Sequence, residues 1–230
     1  MDILAINNVS KSFENKKIID NVSFTIESGK IVGLLGKNGS GKTTILKMIN
    51  SLLTIDEGKI LVCGEEIGVK SKTQVSFLPE RTYLESNQTV FDVFKFFETF
   101  YADFDKEKAL ELLEKLDLDV NASLSKMSKG MKEKLQLILV MSRKAKLYVL
   151  DEPLGGVDPS TRDYILQTIL SNFDENSSLL ITTHLISDIE NILDEVVILD
   201  KGKIVLNGNA DKLRDVYGKS INSLFREVIK

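Results

Sequence analysis

Gly36, Gly39, Gly41, Lys42 and Thr43 sit in the run Gly36-Lys37-Asn38-Gly39-Ser40-Gly41-Lys42-Thr43, which has the spacing G-x-x-x-x-G-K-[ST]. Residues of these types at this spacing can cradle a polyphosphate. The glycines let successive backbone N–H groups turn inward, and a helix N-terminus behind them adds partial positive charge. Lys42 then reaches the β- and γ-phosphates, and the Thr43 hydroxyl holds Mg²⁺. Lys37, Asn38, Ser40 and Thr44 complete the set expected around the phosphates. A second candidate is the pair Asp151-Glu152. The first acid is expected to hold Mg²⁺, mostly through water, and the second to polarise the water attacking a γ-phosphate, a general-base role typically contributing ~10²–10⁴-fold. Two exposed acids capping a strand are the bland alternative, which loses ground once a phosphate loop is present. His184, the only histidine, could place an imidazole hydrogen bond on the γ-phosphate.

These groups need elements to aim them. Lys30-Ile31-Val32-Gly33-Leu34-Leu35 reads as a buried strand ahead of the loop, and Thr44 to Asn50 has the 3.6-residue period of a helix after it. The apolar run Lys146 to Leu150 predicts a strand that delivers both acids at its C-terminal end, the edge where open α/β sheets place ligands. Leu179 to Thr183 predicts another strand ending at His184. Pro79, Pro153 and Pro159 are each expected to mark a strand-to-loop exit beside the site.

The remaining pattern fills in an α/β fold. Leu4-Ala5-Ile6 and Val22 to Ile26 predict two strands joined by a polar turn around Glu14-Asn15-Lys16, and Gly58 to Val62 with Glu65 to Ile67 a short strand pair. Val75 to Leu78 is a further strand, ending at Pro79. Residues 89–142 read as helical throughout, an insert into the α/β core. A hairpin turns at Asp200-Lys201-Gly202, and one last helix is expected from about Ala210 to Lys230.

The 230 residues fit one large α/β domain, and no linker, charge block or repeat divides them. A net charge of −4 argues against nucleic acid as the main partner. The lone Cys63 excludes an intramolecular disulfide and is expected to be a buried strand residue. No apolar run approaches the ~20 residues that span a bilayer, and Met1-Asp2-Ile3-Leu4 has no basic n-region. A cytoplasmic location follows as an expectation, with any membrane role resting on a separate chain.

Ser128-Lys129-Gly130-Met131 resembles a variant of the signature loop of ATP-binding cassette (ABC) ATPases. The order Phe13, phosphate loop, Leu78-Pro79-Glu80, signature, Asp151-Glu152, Gly155-Gly156-Val157-Asp158, His184 also matches that family over essentially the whole chain. The resemblance implies a P-loop NTPase core with an N-terminal antiparallel β subdomain and a helical subdomain at about 81–145. It implies ATP and Mg²⁺ as ligands and a nucleotide-sandwich dimer, with a second copy or a related ATPase. The dimer would dock on separate transmembrane permease subunits at the inner face of the cell membrane.

Roles carry over position by position. Phe13 would stack on adenine, or else be a packed strand-end aromatic. Ser128 and Gly130 would contact the γ-phosphate held by the second subunit, with a helix starting near Met131 behind them. Asp158 resembles the residue that communicates across the dimer, and His184 the switch histidine. Glu80 stands where the family usually has Gln, a group touching Mg²⁺ or the attacking water, and Lys129 replaces a customary glycine. Lys129 either adds a positive group near phosphate or points to solvent, the latter being favoured. Met131 replaces a customary glutamine, and Gly155 stands where Ser or Ala is common. These replacements, with Phe100 to Asp105, are similar to the subgroup serving ABC-2-type exporters, several of which act in antimicrobial-peptide export or resistance.

Phe94, Phe97, Phe100/Tyr101 and Phe104 recur at helical spacing, and Phe96 falls off that stripe. The stripe is expected to pack the helical lobe, leaving some aromatics for a groove that receives a helix of the membrane subunit. The alternative reading is a soluble ABC ATPase acting on ribosomes or DNA. It lacks support here because the chain has one cassette, no charged linker and no room for a long coiled coil in 81–145. A nonhydrolytic regulatory subunit is disfavoured by the intact Lys42, Asp151 and Glu152.

Overall fold

A computed structural model describes every residue except Asn15, Asp117, Asp174 and Lys230, together with all side chains of the others but that of Ser160. Strands β1 (Asp2–Phe13) and β2 (Lys16–Glu27) form a long antiparallel pair. Both run well beyond the predicted segments, and Asn15 of the expected turn lies outside the described residues. In β2 the period is two: Val22, Phe24 and Ile26 are buried while Asn21, Ser23, Thr25 and Glu27 are not. Strands β4 (Glu57–Val62) and β5 (Glu65–Glu66) extend this sheet in the order β2-β1-β4-β5. Cys63 departs from expectation. It sits half-buried in the turn after β4, with φ +51°, rather than inside a strand.

The second sheet orders its strands β10-β9-β3-β8-β7-β6. They are β3 (Ile31–Leu35), β6 (Val75–Leu78), β7 (Leu147–Asp151), β8 (Ser178–Thr183), β9 (Glu195–Asp200) and β10 (Lys203–Asn209). All pairings are parallel except the β9–β10 hairpin. β3, β7 and β8 are buried at every residue because both faces of the sheet are covered. On one face, helix α1 (Lys42–Ile49) and the first sheet enclose Leu34, Ile45, Leu46 and Phe24. On the other, α5 (Lys129–Met141), α6 (Pro159–Asn172) and the C-terminal helices enclose Leu137, Leu150, Ile165 and Leu224. Two short helices, α2 (Val69–Lys72) and α7 (Ile186–Ile189), lead to β6 and β9.

Between β6 and β7 the expected helical stretch is three helices rather than one continuous pattern. α3 (Val90–Phe100) starts in a capping box, with Asp92 N–H donating to Thr89 Oγ1 at 3.2 Å and Thr89 N–H to Asp92 Oδ2 at 2.9 Å. It stops where Tyr101 turns extended, and α4 (Lys106–Glu114) restarts behind the cap Asp105. α5 is apolar on two faces. Leu135, Ile138 and Leu139 pack with Phe94, Phe97 and Leu112, whereas Leu137, Val140 and Met141 belong to the sheet core.

Two further expectations are corrected. Pro159 exits no strand: it opens α6, where a missing N–H costs nothing, behind the N-cap Asp158. The last helix is two helices, α8 (Ala210–Tyr217) and α9 (Ile221–Val228). Gly218 ends α8 in the left-handed conformation at φ +62°, and Ser220 caps α9. Lys230 of the expected helix is not described. Among the described residues no helix is long and apolar enough to cross a membrane.

Candidate functional site

The loop from β3 to α1 has room only for glycine at two places. A Cβ on Gly36 would stand 2.4 Å from Ser40 Oγ and 2.6 Å from the Leu199 carbonyl oxygen. One on Gly41, at φ +111°, would stand 2.4 Å from Ile19 Cδ1. Lys42 is buried and curls back over the loop, donating to the Gly36 carbonyl at 2.8 Å. Ser40 Oγ is buried inside the loop and meets no hydrogen-bond partner among the described residues. A cradle that excludes Cβ atoms, holds a buried ammonium and aims an unused hydroxyl inward fits a phosphate chain.

Asp151 ends β7 and is only 2% exposed. It accepts hydrogen bonds from Thr182 Oγ1 at 2.7 Å and Thr43 Oγ1 at 3.4 Å. Burial raises its carboxyl above the usual range, the two hydroxyls pull it down, and Glu80 and Glu152 push it up again. A buried carboxylate with no ion pair among the described residues suits a cation. Raising a carboxyl pKa on folding means stability falls as pH climbs from the unfolded value of about 3.9, so the cost is fully present at neutral pH. Asp151→Asn should therefore raise the melting temperature of the nucleotide-free protein. A calorimetric scan that shows a lower melting temperature would contradict this account of the site.

Glu152 leaves the strand with φ +49°, a conformation costing a non-glycine residue about 1–2 kcal/mol. Its N–H is shared between the Thr182 carbonyl at 3.1 Å and Thr182 Oγ1 at 3.0 Å, which holds the kink. Glu152 Oε2 accepts from the His184 backbone N–H at 3.1 Å and lies 2.8 Å from His184 Nδ1, while Oε1 is 3.7 Å from Lys42 Nζ. Lysine, glutamate and histidine thus form one chain of polar contacts across the cavity floor. Thr182 was not singled out from the sequence. It is the penultimate residue of β8, two positions before His184, which follows the strand's last residue, Thr183.

These residues open into a cavity of about 720 Å³. Phe13, Asn38, Gly39, Gly41, Lys42, Thr43, Thr44, Glu80, Glu152 and His184 line it, with Lys129 and Glu133 on the far side. Gly36, Lys37 and Ser40 form the back of the loop, and the Lys37 carbonyl lies 3.4 Å from Lys42 Nζ. Phe13 is 47% exposed at the end of β1, with Lys11 Nζ 5.6 Å from its ring centroid. It is therefore not a packed strand-end residue. Ser128 and Gly130 do not line the cavity. Ser128 is exposed at the N-cap of α5, accepting the Met131 N–H at 3.2 Å, so the helix begins at Lys129, earlier than expected. The Lys129 side chain is 77% exposed and pairs with Glu133 at 3.5 Å, yet its ammonium reaches the cavity wall at Gly156.

A second cavity, about 470 Å³ and mostly apolar, opens between β6, α3 and α5. Phe77, Pro79, Tyr83, Phe96, Phe97 and Tyr101 line it, and Arg143 forms its floor. Arg143 Nη1 donates to the Val75 carbonyl at 2.6 Å, Nε and Nη2 each reach Asp103 at 3.0 Å, and the guanidinium lies 4.1 Å from the Tyr101 ring centre. Phe94, Phe97, Tyr101 and Phe104 pack inward as the stripe requires. Phe100 does not: it is 66% exposed and lies against Phe96, which is 49% exposed, with ring centres 4.5 Å apart.

Comparison with known proteins agrees with this arrangement. The family model described as ABC transporter matches residues 19–155. The ABC transporter ATP-binding protein YtrB of Bacillus subtilis (strain 168) is 32% identical over 220 residues, covering 94% of this chain and 75% of that protein. The linearmycin resistance ATP-binding protein LnrL of the same organism is 30% identical over 219 residues, covering 92% of this chain and 70% of the relative. A solved ATP-binding subunit of an ABC transporter superposes with a TM-score of 0.90 at 25% identity, over 99% of this chain and all of that one. With a phosphate cradle, a buried acid and a Lys–Glu–His contact chain on a fold of this kind, the chain belongs to the ABC transporter family as one of its ATP-binding, ATP-hydrolysing subunits.

Proposed function

We propose that residues 1–230 work as a single ATPase domain and as half of a composite engine. Two such subunits, identical or related, close around ATP, and hydrolysis lets them part. One observation carries this reading. The cavity gathers Lys42, Thr43, Glu152 and His184 over the buried Asp151 and leaves Ser128 exposed and Gly130 half-buried at a helix N-terminus outside it. A helix N-terminus favours an anion, and the anion for this one is a phosphate held by the other subunit.

Within one subunit, Phe13 stacks on the adenine and the loop from Gly36 to Thr44 wraps the phosphates. Lys42 neutralises the β- and γ-phosphates, Glu152 takes the proton of the attacking water, and His184 contacts the γ-phosphate. Asp158, already the cap of α6 through the Thr161 N–H at 3.0 Å, faces the partner. Mg²⁺, when bound, offsets charge on the phosphate oxygens. Among the described residues no three His, Cys, Asp or Glu side chains gather into a metal cage. Thr43, whose hydroxyl reaches the buried Asp151 carboxylate at 3.4 Å, would hold the ion together with Asp151 and Glu80.

The apolar cavity above Arg143 is where a helix of a transmembrane permease subunit docks, with Phe96, Phe97 and Tyr101 as its apolar wall. Docking there places the chain on the inner face of the cell membrane. Export is the direction favoured by relatives named for lipopolysaccharide export and Nod factor export. The test is sedimentation of the purified chain. ATP with Mg²⁺ should convert monomer to dimer and ADP should not; a chain that stays monomeric at saturating ATP and Mg²⁺ excludes the composite site.

A further inference from the structure

Gln136 has an amide with nowhere to go. It lies on the middle of α5, is 2% exposed, and its Nε2 meets no acceptor among the described residues. A buried N–H left unpaired costs about 1–3 kcal/mol, so such a group calls for a partner. Gln136 lines a small crevice directly behind the catalytic cavity, together with Glu80, Glu133, Asp151 and Glu152. Glu133 is one helical turn before it on the same face. Glu133 has a single ion pair, to Lys129 at 3.5 Å, and Glu80 makes no hydrogen bond or ion pair among the described residues. The crevice thus brings one unused donor to carboxylates with unused acceptor sites. Direct contact is not what it provides: it leaves about 30 Å³ for the centre of a water-sized sphere, and roughly 10–15 Å³ suffices for one water.

We propose that this crevice is an ordered-water site. The water accepts the Gln136 Nε2–H and donates to the carboxylates of Glu80 and Glu133, which gives it the three partners typical of buried water. Gln136 is then a positioning residue. Through the water it ties the Glu80 loop after β6 to α5, the helix that carries Ser128 at its start, so the two move together. Glu80 is exposed, so solvent meets its remaining acceptor sites. This rests on the composite-site reading above for its effect on turnover, and on the crevice alone for the water.

The experiment is a high-resolution crystal structure of the nucleotide-free protein combined with a double-mutant cycle. A water within hydrogen-bond distance of Gln136 Nε2 and Glu80 is expected, and a dry crevice overturns the proposal. Gln136→Leu should lower kcat about tenfold with KM for ATP within about twofold, the size of one lost neutral hydrogen bond. In a Glu80→Gln background the same change should cost less than about twofold, because the carboxylate it served is gone. Equal losses in both backgrounds would mean Gln136 acts by packing alone and sink the latch. So would a Gln136→Leu protein that melts higher and turns over normally, since that is how an unpaired buried amide behaves when removed. Absence of ATP hydrolysis in the unaltered protein would count against the composite site and leave the crystallographic result to decide the water.

Discussion

Glu152→Gln should retain ATP binding while steady-state hydrolysis falls by about 10²–10⁴-fold, the range spanned by a positioned general base. The substitution is nearly isosteric, and the amide carbonyl still accepts the His184 N–H that Glu152 Oε2 accepts at 3.1 Å. What it loses is the capacity to take a proton and the charge 3.7 Å from Lys42. Freed from that pair, Lys42 is wholly available to phosphate, so affinity for ATP should hold or rise. With binding intact and chemistry stopped, the ATP-bound dimer should accumulate and be visible by size-exclusion chromatography. Single-turnover hydrolysis at the unaltered rate would remove Glu152 from the reaction.

Ser128→Arg is the second large effect, and it acts at a distance from this chain's own nucleotide. Ser128 lies outside the cavity, so ATP affinity of the monomer should stay within about threefold. The substitution removes the N-cap to Met131, worth about 1 kcal/mol, and puts a long charged side chain where the partner's phosphate must approach. ATP-dependent dimer should vanish and hydrolysis fall about 10²-fold or more, as expected when a catalytic group is displaced by an ångström or so. Ser128→Ala separates the two causes, since it loses the cap without the bulk. A Ser128→Arg protein that still dimerises on ATP contradicts the trans role of this helix end.

Much of the site was legible because its chemistry is contiguous. The phosphate loop and the Asp151-Glu152 pair are local strings, and β3, β7 and β8 announce themselves as unbroken apolar runs. Groups recruited from elsewhere were harder to see. Thr182 looks like one more strand threonine until its hydroxyl is found on Asp151, 31 residues earlier. Gln136 was hidden because α5 is buried on two faces, which erases the one-sided pattern that marks an inward polar residue. Phe100 and Tyr101 were interchangeable by spacing, and the end of α3 at Phe100 decided between them, turning Tyr101 under Arg143 and leaving Phe100 outside. The break at Gly218 was readable as a glycine followed by a serine cap, but the apolar period carries across it.

Arg143 sits just past the last turn of α5, and five anchors converge there: the Thr73 and Val75 carbonyls, Asp103, the Tyr101 ring, and the Tyr148 hydroxyl donating to the Arg143 carbonyl at 2.5 Å. That end of the helix is a fulcrum. The 13 residues of α5 make an arm about 20 Å long, with Ser128 at its tip. A pivot of ~10° at Arg143 therefore swings Ser128 through about 3.5 Å, more than the length of a hydrogen bond. On the function proposed above, the load on the short side of this lever is the helix docked in the apolar cavity around Arg143, and a pivot of this size makes or breaks the contact of Ser128 with the partner's phosphate.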